Sequence, residues 1–177
     1  LTCIVGIIEN GLVVMGADSC ASDEESQTFT IAKNTKIFRK NEIIIGCADS
    51  FRVINVIRYI FKPPPIKGSN FEYIVSSFIP ELQKTLEIQK LDISSDDLGL
   101  HLLVGIKDEI FEIHNNFSVV ITPSYGAAIG SGEVVAKGSL YTTRNMNMKA
   151  SQRVLMALEA AEANILSVRA PFDILEN

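Results

Sequence analysis

Two residue types near the start of the chain could together perform nucleophilic catalysis. Thr2 stands second in Leu1-Thr2-Cys3-Ile4-Val5-Gly6. With Leu1 removed, Thr2 would carry a free α-amine beside its own hydroxyl. That is a base and a nucleophile in one residue, and no histidine is needed. Asp18, in Gly16-Ala17-Asp18-Ser19, follows one strand, a turn and a second strand later. An aspartate behind the apolar run Val13–Ala17 is expected to be partly buried, and a buried carboxylate needs a partner. Cys3 is the rival nucleophile, because a thiolate is intrinsically stronger. It would require loss of two residues, and strand alternation turns its side chain away from that of Thr2.

The elements that must position these residues follow from hydrophobic period. Cys3 to Ile8 and Leu12 to Met15 read as strands around Glu9-Asn10-Gly11, a strong hairpin signal. Both are apolar on both faces, so they are expected to be central and covered on each side. Ala21 to Thr28 is polar and reads as a loop. A second hairpin spans Lys36–Arg39 and Glu42–Cys47, turned at Lys40-Asn41. Phe51 to Phe61 has helical spacing and ends before Pro63-Pro64-Pro65. Phe71 to Leu86 reads as a long amphipathic helix that Pro80 should kink or divide. Leu100–Ile106 and Ile110–His114 form a third hairpin, and Tyr125–Ile129 a short strand ending at Gly130-Ser131-Gly132. Helices are expected at about 133–143 and 149–165, and Phe172–Leu175 as an edge strand. The order predicts an α+β fold: two mostly antiparallel sheets packed together, with helices on each outer face.

Composition narrows the function classes. The chain has 177 residues, expected to form one domain over 1–177 with a full core. Apolar residues make up 47% and charged residues 21%, which suits a globular protein. A net charge of −5 gives no basic footprint for nucleic acid. Three cysteines, Cys3, Cys20 and Cys47, are no disulfide framework, so a reducing cytoplasm is expected. No apolar run reaches the ~18 residues of a membrane span, and no signal peptide is expected. His101 and His114 fall on expected strands without a metal-ligand spacing, and no phosphate or dinucleotide loop occurs, so neither metal nor cofactor is expected.

In order and spacing, several motifs resemble proteasome β-subunits and the HslV peptidase, members of the N-terminal nucleophile hydrolases. They are Thr2-x-Ile4-Val5-Gly6, Gly16-Ala17-Asp18-Ser19, Lys36-Ile37, Gly46-x-Ala48 and Gly130-Ser131-Gly132. Short phage and bacterial proteasome-like proteins are similar again, through Ser50-Phe51-Arg52 and Val168-Arg169-x-Pro171-Phe172. The resemblance implies a four-layer αββα sandwich and a threonine peptidase with Thr2 as nucleophile. It also implies that Asp18 orients and neutralises a site lysine. Lys36 fits that lysine if the 21–30 loop carries an insertion, and Lys33 is the alternative. An ammonium nearby would disfavour protonation of the Thr2 amine and leave it free to act as base.

The same resemblance implies the Asp49 backbone N–H as oxyanion donor, where the family usually has glycine. Asp49 or Ser50 is also a good helix cap. Ser131 would bond around the terminal amine. Ser167 matches a C-terminal serine, while Asn164 stands where the family has a carboxylate. Cys20, Cys47 and Phe51 would line an uncharged pocket favouring a small or medium apolar side chain.

Family likeness further implies a polypeptide substrate, a homo-oligomeric ring or cage, and an ATPase unfoldase as partner. The stripe Phe51/Ile54/Ile57/Phe61 is expected to leave apolar surface for neighbouring subunits. Two other readings remain open: a catalytically silent scaffold subunit, and a small-molecule amidase of the same fold.

Overall fold

The computed structural model describes residues 2–23 and 28–177. Leu1, whose removal the peptidase reading requires, lies outside the described residues, as does part of the expected 21–30 insertion. β1 (Ile4–Glu9) and β2 (Leu12–Ala17) form the first hairpin. Its turn is Asn10-Gly11, with φ of 53° and 77°. Positive φ at both positions suits a two-residue turn that follows the strand twist.

Two sheets carry the fold. The first runs β10 (Ala127–Ile129), β1, β2, β11 (Asp173–Glu176); the second runs β5 (Ile37–Lys40), β6 (Ile43–Asp49), β7 (Leu100–Ile106), β8 (Glu109–Ile113), β9 (Val119–Ile121). β1 and β2 are central in the first, as their two apolar faces predict, and β11 is an edge strand. Alternation assigns the faces. Ile4, Ile44, Ala48 and Leu103 meet between the sheets. Cys3, Val5 and Ile7 instead face α4 (Glu133–Thr143) and α5 (Ala150–Asn164). Ile45 and Cys47 face the helices over the second sheet, among them α1 (Phe51–Tyr59). The result is the expected αββα sandwich. A Cβ at Gly46 would fall 2.7 Å from Ile4 Cγ2 and 2.9 Å from Met15 Sδ, so glycine sets how closely the sheets approach.

Pro80 acts without breaking its helix. α2 (Asn70–Tyr73) passes into a π segment, Ile74–Phe78, and then into α3 (Ile79–Ile88). The Ile79 N–H bonds back to the Ile74 carbonyl. Proline has no N–H to continue the α ladder, and the widened turn accommodates it.

Three expectations are corrected. The polar stretch 21–28 is not simply a loop: β3 (Cys20–Asp23) pairs with β4 (Thr28–Ile31) in a separate ribbon. β9 follows the third hairpin where no strand was expected; at three residues it is too short to show a period. The α1 stripe is covered within the chain. Ile54, Ile57 and Phe61 are buried and Phe51 is half-buried, because the helices over the second sheet close on them.

Candidate functional site

Asp18 follows the end of β2, where Ala17 pairs with Ile4 at the start of β1. That register brings its carboxylate to the peptide joining Thr2 and Cys3. Asp18 Oδ1 accepts from Cys3 N–H at 2.8 Å and from Lys36 Nζ at 2.9 Å. Oδ2 accepts from Cys20 N–H at 2.8 Å and Arg169 N–H at 3.4 Å. Four donors converge on one acceptor-only group, the pattern of an ionised carboxylate.

Lys36 stands just before β5, and its side chain and that of Asp18 are both fully buried. Nζ also donates to the Cys20 carbonyl at 2.6 Å. The Arg58 guanidinium, from α1, bonds the Thr35 and Ile37 carbonyls and so clamps the backbone on both sides of Lys36. Lys33 is exposed. The geometry therefore brings Lys36, and not Lys33, to Asp18.

Thr2 is buried and held from its other side by the turn between β10 and α4. Its N–H donates to Ser131 Oγ at 3.3 Å, and its carbonyl accepts from Ser131 Oγ at 3.1 Å and Gly132 N–H at 3.3 Å. Ser131 Oγ lies 3.0 Å from Ser167 Oγ. With its one proton given to Thr2 O, Ser131 accepts from both Thr2 N–H and the Ser167 hydroxyl, which exhausts its capacity. Gly130, at φ 88°, makes the turn; a Cβ there would collide with the Thr2 carbonyl.

Thr2, Asp18, Lys36, Ser131 and Ser167 thus form one connected constellation. Asn164 does not join it: exposed at the end of α5, it donates to the Ala160 carbonyl at 2.8 Å. Asp49 ends β6 with an exposed side chain and a left-handed backbone, φ 77°, a conformation that normally favours glycine. Ser50, not Asp49, caps α1 by accepting from Val53 N–H.

The three proposed pocket residues do not share a wall. Cys20 is buried and meets the site through its backbone N–H and carbonyl. Cys47 is on the helix-facing side of β6, and Phe51 packs against that same core. One residue of strand alternation separates Cys47 from the face between the sheets. Sequence reasoning did not anticipate the Arg169 and Cys3 amides, since backbone donors leave no mark on residue identity.

Cys3 is unsuited to nucleophilic attack. Burial, with the Asp18 charge adding to it, pushes its thiol up from 9.0 to about 12. Burial also raises the Cys20 and Cys47 thiols.

The expectation of no metal-ligand cluster is corrected. Antiparallel pairing of β7 and β8 places His101, Glu112 and His114 together, with their ligand atoms all within 4.8 Å of one another. Their separation along the chain shows no local ligand motif; the sheet register creates the group. The His101 hydrogen bond holds the Glu112 carboxyl below its ordinary range.

No family model matches the sequence, and no curated protein does either. Solved structures do. BPH of Thiobacillus denitrificans, in complex with epoxomicin, superposes with a TM-score of 0.81 over 99% of this chain and 98% of that one, at 18% identity. Eukaryotic HslV from Trypanosoma brucei gives 0.72 over 99% and 98%, at 20% identity. The Anbu (Gly-1) mutant from Hyphomicrobium sp. strain MC1 gives 0.72 over 98% and 80%, at 12% identity. The chain has the proteasome-like N-terminal nucleophile hydrolase fold. At these identities the likeness is one of architecture. Among the described residues no helix is long and apolar enough to cross a membrane.

Proposed function

We propose that this chain is an N-terminal threonine peptidase, with Thr2 as nucleophile once residue 1 is removed. The observation that carries the reading is the double hold on Thr2. The Ser131–Ser167 pair grips its backbone N and O, and the buried Lys36–Asp18 pair bonds the next amide. In this mechanism Thr2 Oγ attacks a peptide carbonyl while its freed α-amine takes the proton. The Lys36 charge, one peptide away, favours the neutral amine that can act as base. Ser131 Oγ keeps the amine oriented, and the Asp49 N–H stabilises the tetrahedral oxyanion. The amine then returns its proton to the leaving nitrogen, and water attacks the resulting ester. Lys36, Asp18 and Ser167 are positioning residues. The chemistry needs no cofactor, and the protein assembles as a homo-oligomer enclosing its sites from polypeptides at large, consistent with the shared fold.

The silent-scaffold reading draws on Asn164, which points away from the site, and on the aspartate at position 49. Intact mass of the native protein, followed by titration with a peptide epoxyketone, separates the readings. The peptidase reading expects a chain starting at Thr2, one adduct per chain on Thr2, and no adduct in Thr2→Ala. A Thr2-initiated chain that takes no adduct and cleaves no peptide is a scaffold. Adduct formation with cleavage of small amides but not peptides would make it an amidase. Light scattering reports assembly, and a monomer of about 19 kDa would refute the enclosed arrangement.

A further inference from the structure

We propose that His101, Glu112 and His114, residues that the peptidase reading does not use, form a binding site for a divalent transition metal of the zinc class. His101 sits on β7, Glu112 on β8 and His114 just beyond it. His101 pairs opposite Ala48, a residue of the core between the sheets. Alternation from Leu103 and Ile110, both in that core, puts all three side chains on the inner face of the second sheet.

The spacing suits a metal. His101 Nε2 lies 2.8 Å and His114 Nε2 3.8 Å from the same Glu112 Oε1. Ligand atoms about 2.0–2.1 Å from a tetrahedral zinc stand roughly 3.3 Å apart, midway between those distances. With the third side, between the two histidine ligand atoms, also within 4.8 Å, side-chain rotations would close the triangle. The imidazole rings are stacked, 30° apart with centroids at 5.2 Å.

The donor set selects the ion. Two imidazoles and one carboxylate favour zinc, cobalt or nickel over magnesium or calcium, which prefer all-oxygen shells. Access is open as well. His101 and His114 line a cavity of about 470 Å³ with Asp49, Asp96, Asn115 and Ser118, leaving the remaining coordination positions to water. Asp49 and Asp96 add negative charge on that side. The cation facing Glu112 from the opposite side, Lys137, is 3.8 Å from Glu133, which offsets its charge.

The three buried cysteines are the competing ligands, and cobalt distinguishes them. Titration of the full chain with ZnCl2 in a calorimeter should show one saturable site per chain, not displaced by a large excess of MgCl2. Titration with CoCl2 should give the visible bands of a nitrogen and oxygen shell without the near-ultraviolet thiolate-to-metal band. His114→Ala, at a half-exposed position, removes a direct ligand and should weaken binding by at least about a hundredfold, the upper end of what loss of an outer-shell partner costs. Glu112→Gln should weaken it likewise while leaving the thermal transition of the metal-free chain close to wild type. Absence of a saturable site, a thiolate band, equal competition by magnesium, or undiminished binding in His114→Ala would each overturn the proposal.

Discussion

Asp18→Asn should destabilise the protein more than Lys36→Met, although both break the same buried ion pair. Removing the lysine leaves an uncompensated buried carboxylate, which costs about 3–5 kcal/mol in such settings. Three backbone donors remain on Asp18, from Cys3, Cys20 and Arg169, so the loss should sit near the lower limit, about 3 kcal/mol. Asparagine strands the buried ammonium and also creates a donor conflict. Its amide nitrogen must face either the Cys3 N–H or the Cys20 N–H, each of which bonds the carboxylate at 2.8 Å. One orphaned buried donor adds about 1–3 kcal/mol, which brings the total to about 5 kcal/mol. At about 2–4 °C per kcal/mol for a chain of this size, the melting temperature should fall by roughly 6–12 °C for Lys36→Met and 10–20 °C for Asp18→Asn. Urea unfolding followed by circular dichroism gives the free energies directly. An Asp18→Asn chain that does not fold while Lys36→Met does gives the same ordering. Equal losses, or a milder Asp18→Asn, would refute the view of Asp18 as an acceptor saturated by backbone donors.

Gly130→Ala should abolish epoxyketone labelling of Thr2 while costing about 1–3 kcal/mol, because a left-handed turn at φ 88° and the Thr2 carbonyl both exclude a Cβ. Wild-type labelling rates in this variant would contradict the assigned role of the turn. Alkaline pH should destabilise the chain through Cys3. The folded thiol keeps its proton up to about 12 while the unfolded one releases it near 9.0. The unfolded state then binds fewer protons, and stability falls as pH rises through that window. Cys3→Ser should lose about 2 kcal/mol less than wild type between pH 9 and pH 11; equal slopes would refute it.

What was legible in the sequence was mostly local. Asn10-Gly11 declares its own turn, the apolar pattern of β1 and β2 declares two covered faces, and Pro80 declares a disturbance in its helix. Thr2 and Asp18 could be placed in one site because a single hairpin joins them. Lys36 against Lys33 could not be decided from residue types, since both lie on the same polar approach to β5. Only tertiary packing buries one and exposes the other. The β3–β4 ribbon escaped for a related reason. Apart from Cys20, its strands are half-buried or exposed, so no core face imposes a hydrophobic alternation on them.

The same limit explains both the missed pocket wall and the missed histidine cluster. A strand shows its alternation but not which face meets which layer until its partners are known. Cys47 stands one residue from Gly46 and Ala48, and that step moves its side chain from between the sheets to beneath α1. His101 and Glu112 sit on the two strands of one hairpin, but only its exact register, which sets Leu102 opposite Ile113 and Leu103 opposite Glu112, decides that they meet. His101, Glu112 and His114 then fall on one face at adjacent positions. Pairing and alternation therefore create chemistry that neither strand carries alone. The Thr2 site obeys the same rule. Its threonine and aspartate come from a hairpin that the sequence announces. Of the amides that saturate Asp18, that of Cys3 belongs to the same hairpin and that of Cys20 lies two residues on, so only the Arg169 amide waits for the closed sandwich to bring it in.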